Sequence, residues 1–214
     1  SECSVVGSTT GYLNTGVFCA PRFHQRGTPY GINTEGVRRQ SLAPNVVVSQ
    51  AQVLGDPDCD AVDRMCNAPQ VLAVQANVII SPGTYAAFNS QATMWTRDWA
   101  PVMAVLPGIG RYDDIFASFI FHRLARAYNT ALYVGEPCVR QDRNEHNLTS
   151  DLRAELWGME RVFTFCQTLD SAYISSDMPI WHAYSELIFA ARSVLPERAI
   201  TFADSWVRTW RDFL

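Results

Sequence analysis

The chain has 214 residues, of which 48% are hydrophobic and 18% charged, and its formal net charge is −4. This length and composition suit one sizeable globular domain or two small ones and exclude a disordered or fibrous chain. The acidic balance argues against nucleic acid as a partner, because nucleic-acid-binding domains usually carry a basic face.

All 17 basic residues are arginines, so the chain has no lysine. This excludes a Schiff-base lysine and a P-loop lysine. A bound diphosphate would therefore need arginines, backbone amides or a metal ion.

Six cysteines are spread along the chain without a C-x-x-C pair or a zinc-type spacing, and both disulfides and free thiols remain open. No apolar run predicts a membrane span, and residue 1 does not begin a signal peptide. A glycosylation sequon at Asn147 is typical of a secretory-pathway lumen. We expect the Golgi lumen or the cytoplasm as the location.

Two short strands are predicted near the start of the chain, over residues 3–6 and 17–20. Residues 21–44 follow as a loop rich in proline and glycine, with four arginines that include Arg26. Long loops inside compact domains are often functional, and these arginines suit an anionic ligand such as a nucleotide diphosphate. A solvated basic loop is the alternative.

A β-branched run predicts a strand over residues 46–53, which leads into an acidic turn with Asp56, Asp58 and Asp60. Carboxylates that converge after a strand are the hard oxygen ligands a divalent cation prefers. They predict a metal site, and a metal-dependent hydrolase is one reading of it. The alternative is a turn that caps a helix starting near Ala61.

Another strand is predicted over residues 71–80, and a further one ends at Asn89. The Asn89 amide could hydrogen-bond sugar hydroxyls, although buried amides in sheets are more often structural. Trp95 and Trp99 could stack on a sugar ring, and a place in the core is the favoured alternative.

The densest polar chemistry follows a Pro/Gly loop at residues 106–110, where Asp113 and Asp114 precede an apolar helix predicted over residues 115–127. A single carboxylate would suffice as a helix N-cap. The adjacent pair therefore favours a general base, or a group that holds an acceptor hydroxyl.

A strand over residues 131–134 leads to the most polar run of the chain, which contains His146. His146 is a candidate metal or phosphate ligand, with an exposed loop histidine as the alternative.

Three helices are predicted for the rest of the chain, over residues 148–164, 180–194 and 200–213. Glu155 is expected to face outward on the first. The apolar faces of the last two predict packing, or contact with a protein partner.

Six short motifs, taken together, resemble one known family. They are, in chain order, Asn14-Thr15, Arg26-Gly27-Thr28-Pro29-Tyr30, Pro57-Asp58-Cys59-Asp60-Ala61, Pro82-Gly83-Thr84, Gly110-Arg111-Tyr112-Asp113-Asp114 and Gly135-Glu136-Pro137. In this order they resemble the reversibly glycosylated polypeptide and UDP-arabinopyranose mutase family, over roughly residues 11 to 165.

The resemblance implies an α/β fold of GT-A type, with a mixed sheet flanked by helices and a C-terminal helical tail. It implies a glycosyltransferase domain over residues 1–166 that lacks its first strands, followed by a helical extension over residues 167–214. The implied activity is transfer of a sugar from a UDP-sugar to a glycan or protein acceptor, with Mn²⁺ or Mg²⁺ as cofactor.

Site residues follow from the local chemistry and the resemblance together. The catalytic candidates are Asp113 and Asp114. The candidates for substrate binding are Arg26, Asn89, Arg111 and Asn14, and those for the metal are Asp58, Asp60 and His146. Arg26 matches the arginine that the family uses for reversible self-glycosylation, but a second family arginine falls on Asn33 here, which argues against mutase activity.

A second functional class fits the same residues. The chain could be a non-catalytic glycosyltransferase-like subunit or a glycan-binding module, with its C-terminal helices docked on a protein partner.

Overall fold

The computed structural model describes residues 3–41 and 44–213, and its centre is a six-stranded mixed sheet. From one edge to the other the strands are β3 (Val37–Arg39), β1 (Ser4–Ser8), β6 (Val78–Ile80), β8 (Thr130–Gln141), β4 (Asn45–Gly55) and β7 (Thr93–Trp95). β1 runs parallel to β6 and β4 parallel to β8, whereas the other neighbours are antiparallel. A separate small sheet joins β2 (Cys19–Ala20) to β5 (Ala73–Val74).

Five α-helices lie in the part of the chain that the structure describes. They are α1 (Ala61–Asn67), α2 (Ile115–Tyr128), α3 (Leu148–Ser171), α4 (Ile180–Ala190) and α5 (Glu197–Phe213). The predicted α/β class, a mixed sheet flanked by helices with a C-terminal helical tail, is confirmed. Across residues 3–41 and 44–213, none of the helices is both long and apolar enough to cross a membrane.

The central element of the core is α2. Its side chains from Ile115 to Ala125 are all buried, because the helix packs on β8 and also against α3 and α4. The ring of Phe116 lies 4.4 Å from that of Phe165 on α3, between centroids. Asn129 ends the helix in the left-handed conformation, which asparagine tolerates better than most residues.

The C-terminal helices share this core. Tyr184 and Leu187 of α4 are fully buried in the same hydrophobic cluster as α2. The predicted domain boundary at residue 166 falls inside α3. The predicted C-terminal extension packs on the predicted glycosyltransferase domain, since α4 contacts α2 and α3. Phe213, at the end of α5, is 68% exposed.

The predicted strand ending at Asn89 is wrong. Residues 81–92 are irregular, and their backbone groups find partners outside any strand ladder. The Tyr85 N–H donates to the carbonyl of Gly11 at 2.8 Å, and the His122 side chain of α2 bonds the Ala86 carbonyl at 2.7 Å. Because these contacts satisfy the backbone, an apolar run here forms no strand.

Candidate functional site

A buried polar cluster lies where the end of β4 meets four other segments, and Asp58 is at its centre. Asp58 is 3% exposed and accepts from Arg26 Nε at 3.1 Å and Nη2 at 3.0 Å. Asn89 Nδ2 donates to the same carboxylate at 2.8 Å, and Arg143 Nη2 donates at 3.3 Å. Gln50 Nε2 in turn donates to Asn89 Oδ1 at 3.3 Å. The cluster thus joins residues that are far apart in sequence.

Local backbone geometry brings Arg26 to this position. The Arg26 N–H donates to the Asp58 carbonyl at 2.9 Å, which fixes the loop against the turn after β4. Gly27 has φ +94°, and a Cβ there would collide with Ile115 at the start of α2. Glycine is therefore required where the Arg26 loop crosses α2.

Asp114 joins the cluster from the N-terminal end of α2. Its Oδ2 accepts from the Ser90 backbone N–H at 2.9 Å and from Ser90 Oγ at 3.0 Å. Its Oδ1 lies 3.6 Å from Arg26 Nη2, an ion-pair distance but longer than a hydrogen bond. Asp113 is used differently, because its Oδ1 accepts the Asp114 backbone N–H at 2.9 Å. The two adjacent carboxylates therefore have separate environments.

Burial and charge act in opposite directions on the pKa values of this region. Burial alone would raise the pKa of Asp58, but the guanidinium groups of Arg26 and Arg143, with the Asn89 amide, hold it below its usual range. Burial raises the pKa of Asp113, which the backbone N–H of Asp114 and the charge of Arg26 oppose only in part. Asp58 is thus held as a carboxylate.

Several polar atoms of the cluster are buried without a hydrogen-bond partner among the described residues. They are Gln50 Oε1, Asp114 Oδ1 and Arg143 Nε. The last two lie only at ion-pair distance from an opposite charge, 3.6 Å from Arg26 Nη2 and 3.8 Å from Asp56 Oδ1 respectively. Buried polar groups are nearly always satisfied, so unpaired donors and acceptors in one region mark a place for ligand or ordered water.

Arg111 and His146 belong to a second, adjoining network on α3. Arg111 Nε donates to Glu155 at 2.9 Å and its Nη1 lies 3.3 Å from Asp151, while His146 Nδ1 is 2.9 Å from Asp151. The prediction that Glu155 faces outward is wrong, since it is 1% exposed. Its second oxygen accepts the backbone N–H of Ala61 at 2.7 Å. Glu155 therefore ties the loop before Asp113 to the start of α1.

Glu155→Gln is expected to lower the free energy of unfolding by about 2 kcal/mol, because the new amide would place a donor against the Arg111 guanidinium or the Ala61 N–H. Urea unfolding would measure this. Glu160→Gln is the matched control on the same helix, since that side chain is 66% exposed, and it should change stability by less than about 1 kcal/mol. Equal effects of the two substitutions would contradict the positioning role of Glu155.

The glycines of the loop at residues 106–110 serve packing within the protein. Gly110 has φ +75°, and a Cβ there would strike the Ala154 carbonyl of α3. The loop's close approach is therefore to a helix backbone, and the geometry assigns it no ligand contact.

Asn14 has its side chain fully engaged inside its own loop. Its Oδ1 accepts from the backbone N–H groups of Gly16 and Gln25, both at 3.0 Å, and its Nδ2 donates to the Phe23 carbonyl at 2.8 Å. The side chain caps a short 3-10 turn at Thr15–Phe18. This turn takes the first half of the strand predicted over residues 17–20, and β2 forms the second half. Asn14 supports the Arg26 loop from a distance.

The candidate metal ligands do not converge as they stand. Asp58 is taken by Arg26 and Arg143, and His146 is paired with Asp151. One oxygen of Asp60 caps α1 and the other accepts from Tyr30 OH at 2.7 Å, as the alternative of a capping turn predicts. Within residues 3–41 and 44–213, no three His, Cys, Asp or Glu side chains are grouped to hold a metal ion. These residues therefore do not fit a preformed cation site.

Comparison with known proteins adds no relative, since no family model and no curated protein matches this chain. The family resemblance stays a prediction.

Of the cluster residues, Gln50, Ser90 and Arg143 were missed as site residues. Polar side chains at alternate positions of the β4 run were the available signal for Gln50.

Proposed function

We propose that this chain is a nucleotide-sugar-dependent glycosyltransferase, or the part of one that holds the transferred sugar and the acceptor. The donor would be a UDP-sugar and the acceptor a glycan or a protein. Four residues that were predicted from the sequence for this chemistry lie in one cluster, which supports the proposal. They are Arg26, Asp58, Asn89 and Asp114.

The observation that carries the proposal is the mixture of unpaired buried atoms around Asp58. Gln50 Oε1 and Asp114 Oδ1 are acceptors, whereas Arg143 Nε is a donor. A hydroxyl group both donates and accepts, so it can satisfy either kind of atom in such a set. A purely anionic ligand would satisfy the donor and be repelled by Asp114. The set therefore favours a sugar.

Charge pairing within the protein limits the ability of Arg26 and Arg111 to bind a diphosphate. The guanidinium of Arg26 is already paired with Asp58, and that of Arg111 with Glu155. These arginines hold the site in shape, because their guanidinium groups are engaged with carboxylates of the protein. Dependence on Mn²⁺ or Mg²⁺ is part of the proposal through the family resemblance.

The same pairing favours the second candidate, a glycan-binding module without transferase activity. A site that satisfies hydroxyls but neutralises its own arginines would bind a sugar and not a nucleotide diphosphate. A protein partner on the C-terminal helices belongs to this alternative, and Phe189 of α4, 69% exposed, is the most prominent apolar side chain there.

Calorimetric titration with UDP and UDP-glucose, with and without MnCl₂, separates the candidates. For the transferase we expect binding of UDP that strengthens at least tenfold with manganese. Folded protein that binds neither nucleotide under any of these conditions would contradict the transferase and leave the glycan-binding module. Binding of UDP equally well without manganese would remove the cation from the proposal.

A further inference from the structure

A narrow hollow opens beside Asp114, between the start of α2 and the edge strand β7. Its lining is mainly apolar and includes Trp95 and Val105, while Asn89, Ser90 and Asp114 also border it. The space that water can enter is about 20 Å³. That is enough for one water molecule or one hydroxyl group and too little for a sugar ring.

The rim of this hollow is apolar and exposed. Trp95 is 41% exposed and Val105 46%. Scattered exposed apolar residues need no explanation, but large ones grouped beside a buried ionic cluster indicate a binding surface. Trp95 lies on an edge strand, so one side of its strand is free of sheet partners among the described residues.

One acceptor at the border of the hollow has no hydrogen bond. Both polar atoms of the Asn89 side-chain amide are engaged. Its Nδ2 donates to Asp58, and its Oδ1 accepts from Gln50 Nε2 and from the Gln91 N–H. Asp114 Oδ2 is held by Ser90, which leaves Asp114 Oδ1 without a hydrogen bond among the residues described. This oxygen is buried and lies 3.6 Å from Arg26 Nη2, so a hydroxyl in the hollow would reach it by rotation of the Asp114 side chain.

These features match a pyranose, which has hydroxyls on its rim and an apolar C–H face. We propose that the hollow is the acceptor subsite for a neutral glycan, in which one hydroxyl enters beside Asp114 and the ring lies on Trp95. The role of the bound saccharide as an acceptor rests on the proposed function, whereas saccharide binding at this place does not. Because Asp114 is negatively charged, an acidic sugar would be disfavoured.

The test measures saccharide binding to the full chain, by saturation-transfer NMR and titration with maltose, cellobiose and lactose. We expect at least one of them to bind, and Trp95→Ala to weaken it roughly tenfold, about 1.4 kcal/mol, through loss of the stacking surface. Trp95→Phe should restore most of the affinity. Phe189→Ala removes an exposed aromatic side chain of α4 and should leave binding unchanged.

Three outcomes would overturn the subsite. In the first, none of the three sugars binds the folded protein. In the second, Trp95→Ala and Phe189→Ala weaken sugar binding equally, and in the third, Trp95→Ala changes the oligomeric state and leaves sugar binding intact. The last would assign this edge to self-association through β7. Sugar binding that depends on Trp95 in a protein that binds no UDP-sugar would support the subsite and reject the transferase, so the two failures are distinguishable.

Discussion

Replacing Asp58 by asparagine is expected to lower the free energy of unfolding by about 3–5 kcal/mol, the usual cost of removing one partner of a buried ion pair. The carboxylate is 3% exposed and accepts hydrogen bonds from two guanidinium groups, those of Arg26 and Arg143. An amide there removes the negative charge and places an NH₂ group among donors. The main loss comes from the positive charges left buried without a counter-charge.

Urea unfolding of the wild type and Asp58→Asn measures this loss. Glu35→Gln is the control, because its pair with Arg22 has a carboxylate side chain that is 58% exposed and should contribute less than about 1 kcal/mol. If Asp58→Asn is too unstable to purify, Arg26→Gln and the double variant complete the comparison. The double variant should lose less than the sum of the single losses. A loss below about 1 kcal/mol for Asp58→Asn would contradict the burial of this pair.

The same substitution should change how stability depends on pH. The pKa of Asp58 is lowered in the folded state, so its contribution is fully present above the unfolded-state value of about 3.9 and is lost as pH falls towards the folded-state value. Wild type should therefore lose stability in this acid range more steeply than Asp58→Asn. Parallel curves for the two proteins would show that the carboxylate gains nothing from Arg26 on folding.

Elements with a strong periodic pattern were predicted well from sequence. The apolar positions at residues 115–127 recur at helical spacing, and α2 spans Ile115–Tyr128. The β-branched run at residues 46–53 lies within β4, Asn45–Gly55. In both cases the pattern reflects burial of the element itself.

The pairings within the site could not be predicted in this way. Arg143 meets Asp58 across 85 positions of the chain, and Arg111 meets Glu155 across 44. Whether a charged residue is buried depends on such a partner, and residue type alone favours exposure, which is why Glu155 was placed outward. The strand prediction for the segment before Asn89 failed for a related reason, since the hydrogen-bond partners of its backbone are side chains and loops.

The second large effect is expected from Asp114→Asn, which should lower kcat for sugar transfer by about 10²- to 10⁴-fold if Asp114 takes the proton of the acceptor hydroxyl. This carboxylate lines the hollow beside Trp95, and its Oδ1 is without a hydrogen-bond partner in the described chain. The asparagine oxygen can still accept from Ser90, and urea unfolding checks that the fold tolerates loss of the charge beside Arg26. The asparagine NH₂ group then replaces the free acceptor with a donor.

The measurement is steady-state transfer from UDP-sugar donors to the saccharide that binds the hollow, with kcat and KM determined separately. Asp113→Asn should cost about tenfold or less, because the Asp113 carboxylate accepts the backbone N–H at the start of α2 and does not line the hollow. Asp98→Asn, at an exposed position, controls for loss of one charge. If Asp113→Asn abolished transfer and Asp114→Asn did not, the base would be Asp113. In that case the raised pKa of Asp113 would place the acid limb of the kcat profile above the usual range of an aspartate.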